Sequence, residues 1–97
     1  MASYILLATY TEQGLKTVKD TVKRASTVKE LAKKAGIDMK DTYWTLGQFD
    51  VVAVFEAPND EAMTAFALSI ARQGNIKTQT LRAFSGKEMS DILARAT

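Results

Sequence analysis

Asp50 is the carboxylate best placed to do chemistry in this 97-residue chain. It follows a Gly47-Gln48 corner, and Tyr43 and Thr45 stand on the face it would share. A carboxyl group buried beside a phenol is held neutral more readily and can serve as a general acid or base. The plainer reading, which we prefer, has Asp50 accepting hydrogen bonds from backbone N–H groups at the turn and holding a hairpin. Glu56, just before Ala57-Pro58, is a second acid that would line a pocket. Residues so placed more often cap a helix or pair with a nearby Arg or Lys. Tyr4, Tyr10, Tyr43, Trp44 and Phe49 are candidates to line a cavity for a small apolar or aromatic molecule. In small cores such rings are usually packing, with their polar ends bonded locally. Arg82 would hold a ligand carboxylate or pair with Glu56.

Histidine and cysteine are both absent. Disulfides, thiolate nucleophiles and imidazole bases are therefore excluded, and neither a metal site nor a cofactor is expected. Gly14, Gly36, Gly47, Gly74 and Gly86 are dispersed as turn and cap residues, with no phosphate-loop spacing. Arg82-Ala83-Phe84 lacks the Lys/Arg-Gly-aromatic pattern of RNA-reading sheets, so nucleic acid is not an expected partner. The net charge of +2 is unevenly placed: Lys16 to Lys40 holds eight basic and three acidic residues. That run reads as a solvated helix face, with phosphate or a membrane surface as the less favoured alternative. No apolar run approaches a membrane span and the first residues lack a basic signal region, so a cytoplasmic protein is expected.

The elements that must position these residues follow from periodicity. Val51 to Ala57 is nearly all apolar, as a strand covered on both faces would be. Ser3 to Thr11 is a second such strand, with Tyr4, Leu6, Ala8 and Tyr10 on one face and Ile5, Leu7 and Thr9 on the other. Glu12-Gln13-Gly14 ends it, and Leu15 to Lys19 reads as an irregular lead-in. Thr21 would then cap a helix reaching about Ala35, with Val22, Ala25, Val28, Ala32 and Ala35 on its inner arc and Gly36 as its stop. Ile37 to Leu46 is a more polar edge strand. A type II′ turn at Gly47-Gln48 would pair Trp44 with Val51 and Tyr43 with Val52. Asn59 caps a second helix running to about Gln73, with Met63, Phe66, Ala67 and Ile70 inward. Ile76 to Phe84 is the fourth strand, and Ser85-Gly86-Lys87-Glu88 is a capping box opening a short C-terminal helix.

This β-α-β-β-α-β order, with right-handed crossovers, predicts one α+β domain over residues 1–97. Its four-stranded antiparallel sheet has order 4-1-3-2, with both main helices on one face in the ferredoxin-like manner. Strands one and three come out central, in agreement with their two-sided apolarity. The uncovered sheet face would then be an apolar patch, which predicts a homodimer or a multiple of one.

The stretch from Tyr43 to Val52, Tyr-Trp-Thr-Leu-Gly-Gln-Phe-Asp-Val-Val, resembles the motif of the GYD-domain family, with Phe49 at the family's tyrosine. Glu56 to Glu61, Gly74 to Thr78 and Thr80 to Phe84 are similar to that family as well. Thr21-Val22 departs from the Ser-Pro expected at the helix start. The resemblance implies a dimeric α+β barrel assembly, in which ferredoxin-like subunits pack sheet against sheet. It carries over no catalytic residue. Two functions remain open: a non-enzymatic structural or small-ligand-binding homo-oligomer, and a cofactor-independent monooxygenase- or isomerase-like enzyme using Asp50 or a tyrosine. An enclosed pocket containing Asp50 would favour the enzyme; Asp50 bonded to backbone would favour the binding module.

Overall fold

Two strands apolar on both sides must lie inside a sheet, and the computed structural model, which describes residues 1–96, places them there. The elements are β1 (Ala2–Tyr10), α1 (Glu12–Lys16), a 3-10 turn (Val18–Asp20), α2 (Thr21–Lys34), β2 (Asp38–Trp44), β3 (Val51–Ala57), α3 (Asp60–Ala71), β4 (Ile76–Ala83) and α4 (Gly86–Arg95). The sheet order is β2-β3-β1-β4 and every pairing is antiparallel. This is the expected 4-1-3-2 sheet read from its other edge. Tyr4, Leu6 and Ala8 of β1 and Ala53, Phe55 and Ala57 of β3 are buried on one face. Met63, Phe66, Ala67 and Ile70 of α3 close over them, with Phe55 and Phe66 edge to face at 5.7 Å. Such a ring pair adds about 1 kcal/mol to the burial of its area.

α3 begins as its sequence requires, with the Asn59 side chain accepting from the Ala62 amide at 2.8 Å. α2 is looser, because Ala32 is its only fully buried residue. Of the inner arc expected for it, Ala25 and Val28 are half-buried, while Val22 and Ala35 face solvent. Nor is Thr21 its cap. Asp20 takes that position without a side-chain bond, and Thr21 is the first helical residue. Its hydroxyl is drawn instead to Tyr10 and Trp44.

The lead-in is ordered where an irregular segment was expected. Thr11 caps α1 by accepting from the Gly14 amide at 3.1 Å, and its own hydroxyl donates to the Gly74 carbonyl. Gln13 donates to the Gln73 carbonyl and to Asn75 Oδ1. These long-range bonds fix a short helix that local propensity would not hold. They also press Gly14 against the chain: a Cβ there would lie 2.0 Å from the Asn75 carbonyl oxygen.

The β2–β3 register is the expected one, with Trp44 opposite Val51 and Tyr43 opposite Val52. The tight II′ turn is not formed. The ladder ends with the Thr45 amide on the Asp50 carbonyl at 2.9 Å, and residues 46–48 bend outward with Leu46 fully exposed. Gly47 does take a positive φ, of 122°. β2 is shorter than expected, ending at Trp44, and carries a bulge between Met39 and Asp41. The capping box of α4 is complete, but no residue of α4 is buried and its Met89, Ile92 and Leu93 stripe faces outward.

Candidate functional site

α2 lies over β2, and α3 lies over β3 and β4. The gap between the helices runs above the central strands β3 and β1, and a cleft of about 230 Å³ opens there. Its floor is Leu6, Ala8, Ala53 and Phe55, and Val28, Met39, Ile70 and Ile76 form its walls. The sequence explains the opening: the small residues Ala8 and Ala53 of the sheet face a helix that presents little apolar surface of its own, Ala25 among it. Tyr10, Thr21, Arg24, Trp44, Gln73 and Asn75 line the polar part of the cleft.

These polar residues are organised. Trp44 donates its indole N–H to Thr21 Oγ1 at 3.0 Å, and the Tyr10 and Thr21 hydroxyls are bonded at 2.8 Å. Arg24 is pinned by donating from Nη1 to the Thr17 carbonyl and hydroxyl, at 2.8 and 2.9 Å, and from Nη2 to the Gly14 carbonyl at 3.3 Å. Arg24 is the only charged side chain among the described residues that line the cleft. Of the aromatic candidates, Tyr10 and Trp44 meet in this cleft. Thr21 and Arg24 were missed as site residues, because one read as a cap and the other as part of a solvated basic face.

The remaining candidates lie elsewhere. Asp50 does not line the cleft; its Oδ2 accepts from the Tyr10 amide at 2.9 Å, and its own amide donates to the Ala8 carbonyl at 2.9 Å. It thus extends the β1–β3 contact one step past the ladder, bonding backbone as the plainer reading held, although on β1 and not within the turn. Thr45 holds the corner, its hydroxyl donating to the Phe49 carbonyl at 2.5 Å. Tyr43, 58% exposed, stands on the opposite face of the sheet from Trp44. Tyr4 is buried at the far end of β1, where its hydroxyl donates to Asp60 Oδ1 at 2.5 Å. Burial first, and then the bond to Asp60, push its phenol above the ordinary tyrosine value.

Arg82 and Glu56 are not partners. Arg82 packs over the rings of Tyr4 and Phe84 and faces Glu88 at 3.8 Å. Glu56 stands 3.8 Å from Lys40, which is held more tightly by Asp38 at 2.9 Å. The Asp38 bond is the main cause of a raised Lys40 pKa. Glu88 is held below the usual carboxylate range, chiefly by the Ser85 backbone N–H, with the Ser85 side chain and Arg82 assisting.

The second candidate surface is the sheet face away from the helices. Alternation places Ile5, Leu7, Val52, Val54 and Leu81 together there, in register across three strands. Among the described residues none of the five is fully buried: Ile5, Leu7, Val52 and Val54 are half-buried and Leu81 is exposed. Among the described residues, no helix is long and apolar enough to cross a membrane.

The GYD domain family matches residues 4–93. The chain belongs to the GYD-domain family. It is 32% identical, over 98% of both chains, to a Thermus thermophilus protein named glutamine synthetase and cystathionine beta-lyase binding protein. Among solved structures it is similar to FFRP-DM1, with a TM-score of 0.61 and 17% identity over 87% of this chain and 100% of that one. A second similar structure, of a protein also from Thermus thermophilus, has a TM-score of 0.58 and 18% identity over 89% of this chain and 96% of its own. At such identities these two structures support the GYD chain's fold alone.

Proposed function

We propose that this GYD-domain protein is a non-catalytic binding module, paired with a second copy through the open sheet face and holding a small apolar molecule in the cleft beneath α2. The observation that carries the pairing is the row of Ile5, Leu7, Val52, Val54 and Leu81, none of them fully buried among the described residues. Strands about 4.8 Å apart and about 3.3 Å per residue give a face of roughly 500 Å². Two such faces bury about 1,000 Å², the lower bound of a specific interface. The relative named as a binding protein for two enzymes supports a role exercised by contact, and another protein is a plausible further partner. Asp50 engaged by the Tyr10 amide, outside the cleft, weighs against the enzyme reading, which loses its carboxylate.

Leu7→Lys tests the pairing, because it places a charge at the middle of the face without touching the helix side. Sedimentation equilibrium at micromolar concentration should give a dimer or its multiple for the wild type and a folded monomer for the variant. A variant that sediments like the wild type would place the interface elsewhere.

A further inference from the structure

The polar end of the cleft has a hydrogen-bonding bias that its shape alone does not reveal. Tyr10 and Thr21 each carry one hydroxyl proton, and Trp44 carries one indole proton. The indole proton goes to Thr21 Oγ1, and one hydroxyl proton makes the Tyr10–Thr21 bond. Whichever hydroxyl donates in that bond, the other keeps a proton with no partner in the network. Arg24, lining the same cleft, is held by three bonds and keeps N–H donors beyond them. Among the described residues, no carboxylate lines the cleft. The unused protons of this network are thus donors, one set of them cationic, above an apolar floor, with the neutral amides of Gln73 and Asn75 beside them.

We infer that the cleft selects an amphipathic monocarboxylate: an apolar body on Leu6, Ala53 and Phe55, and a carboxylate at Arg24 and the Tyr10–Thr21 pair. This rests on the proposed reading of the cleft as a ligand site. An apolar cavity of about 150 Å³ in another protein takes up benzene, so by proportion this cleft has room for about nine carbon atoms. A rim whose one charged group is a guanidinium favours a charged acceptor over a neutral one, because charge-assisted hydrogen bonds are the stronger class.

The test compares octanoate with 1-octanol on the wild-type protein, Arg24→Gln and Ala25→Phe. Calorimetry gives affinity, and fluorescence of Trp44, the only tryptophan, reports occupancy of the cleft. Octanoate should bind the wild type about tenfold more tightly than octanol. Arg24→Gln should bring octanoate down to the level of octanol and leave octanol unchanged. Ala25→Phe, which fills the cleft from α2, should abolish both, with circular dichroism checking that each variant is folded. Equal affinity for the two probes in the wild type would overturn the carboxylate assignment while the cleft remained a ligand site. Octanoate binding that survives in a folded Ala25→Phe protein would also overturn it, by placing the ligand elsewhere. If neither probe binds the wild type, the inference falls together with the cleft reading, and the pairing through the sheet is untouched.

Discussion

Asp50→Ala should destabilise the protein through β1, not through the turn in which Asp50 sits. The substitution leaves the backbone bonds of residue 50 in place, because the amide on Ala8 and the carbonyl receiving Thr45 do not depend on the side chain. What is lost is the acceptor for the Tyr10 amide, 2.9 Å away in a half-buried setting. A hydrogen bond to a charged group contributes about 1.5–3 kcal/mol, and partial solvent access puts this one near 2 kcal/mol. At roughly 4–8 °C per kcal/mol for a domain of this size, the midpoint should fall by about 10 °C. Asp50→Asn keeps an oxygen acceptor without the charge and should lose about half as much. Urea unfolding at a fixed chain concentration separates the three proteins, since pairing makes apparent stability concentration-dependent. Amide exchange should show the Tyr10 N–H losing protection first. If Asp50→Ala unfolds within a few tenths of a kcal/mol of the wild type, Asp50 does not hold β1, and the structural role given to it is wrong.

Gly14→Ala would set a methyl group 2.0 Å from the Asn75 oxygen, so α1 must lift off the loop before β4. Overpacking of this kind costs about 1–3 kcal/mol, and a thermal melt matching the wild type would contradict the close approach. Gly47→Val meets no neighbouring atom but must hold φ near 122°. Backbone strain of about 1–3 kcal/mol should appear in urea unfolding, and its absence would mean the corner relaxes to another conformation. The lowered Glu88 pKa gives stability present above the ordinary carboxylate value and lost as pH falls through the lowered one. Helical dichroism from α4 should therefore decline below about pH 4, and Ser85→Ala should remove that step. Tyr4 works in the opposite direction. Its raised pKa gives stability that is complete below about pH 10 and lost above it, so alkaline unfolding should be delayed in Tyr4→Phe.

The sheet order was legible because β1 and β3 carry apolar residues on both faces, and only central positions use both. α3 was legible for a similar reason: Met63, Phe66, Ala67 and Ile70 recur at helical spacing behind an Asn59 cap. What sequence could not supply depends on contacts between distant segments. α1 exists because Thr11 and Gln13 bond Gln73, Gly74 and Asn75, about 60 residues away. Thr21 looked like a cap since its type suits one, yet Tyr10 and Trp44 claim its hydroxyl from two strands. The cleft is a spacing between α2 and α3, and no single segment encodes it. Asp50 was singled out as a residue with a task, but its partner lies in β1.

The most direct test of the central claim is the native mass of the protein purified from its own host. The expected result is a species at twice the chain mass of 10.7 kDa or a multiple of it, with a small organic acid retained per chain. A bare monomer at 10.7 kDa, with nothing covering the sheet, would contradict both the pairing through Ile5, Leu7, Val52 and Val54 and the occupied cleft.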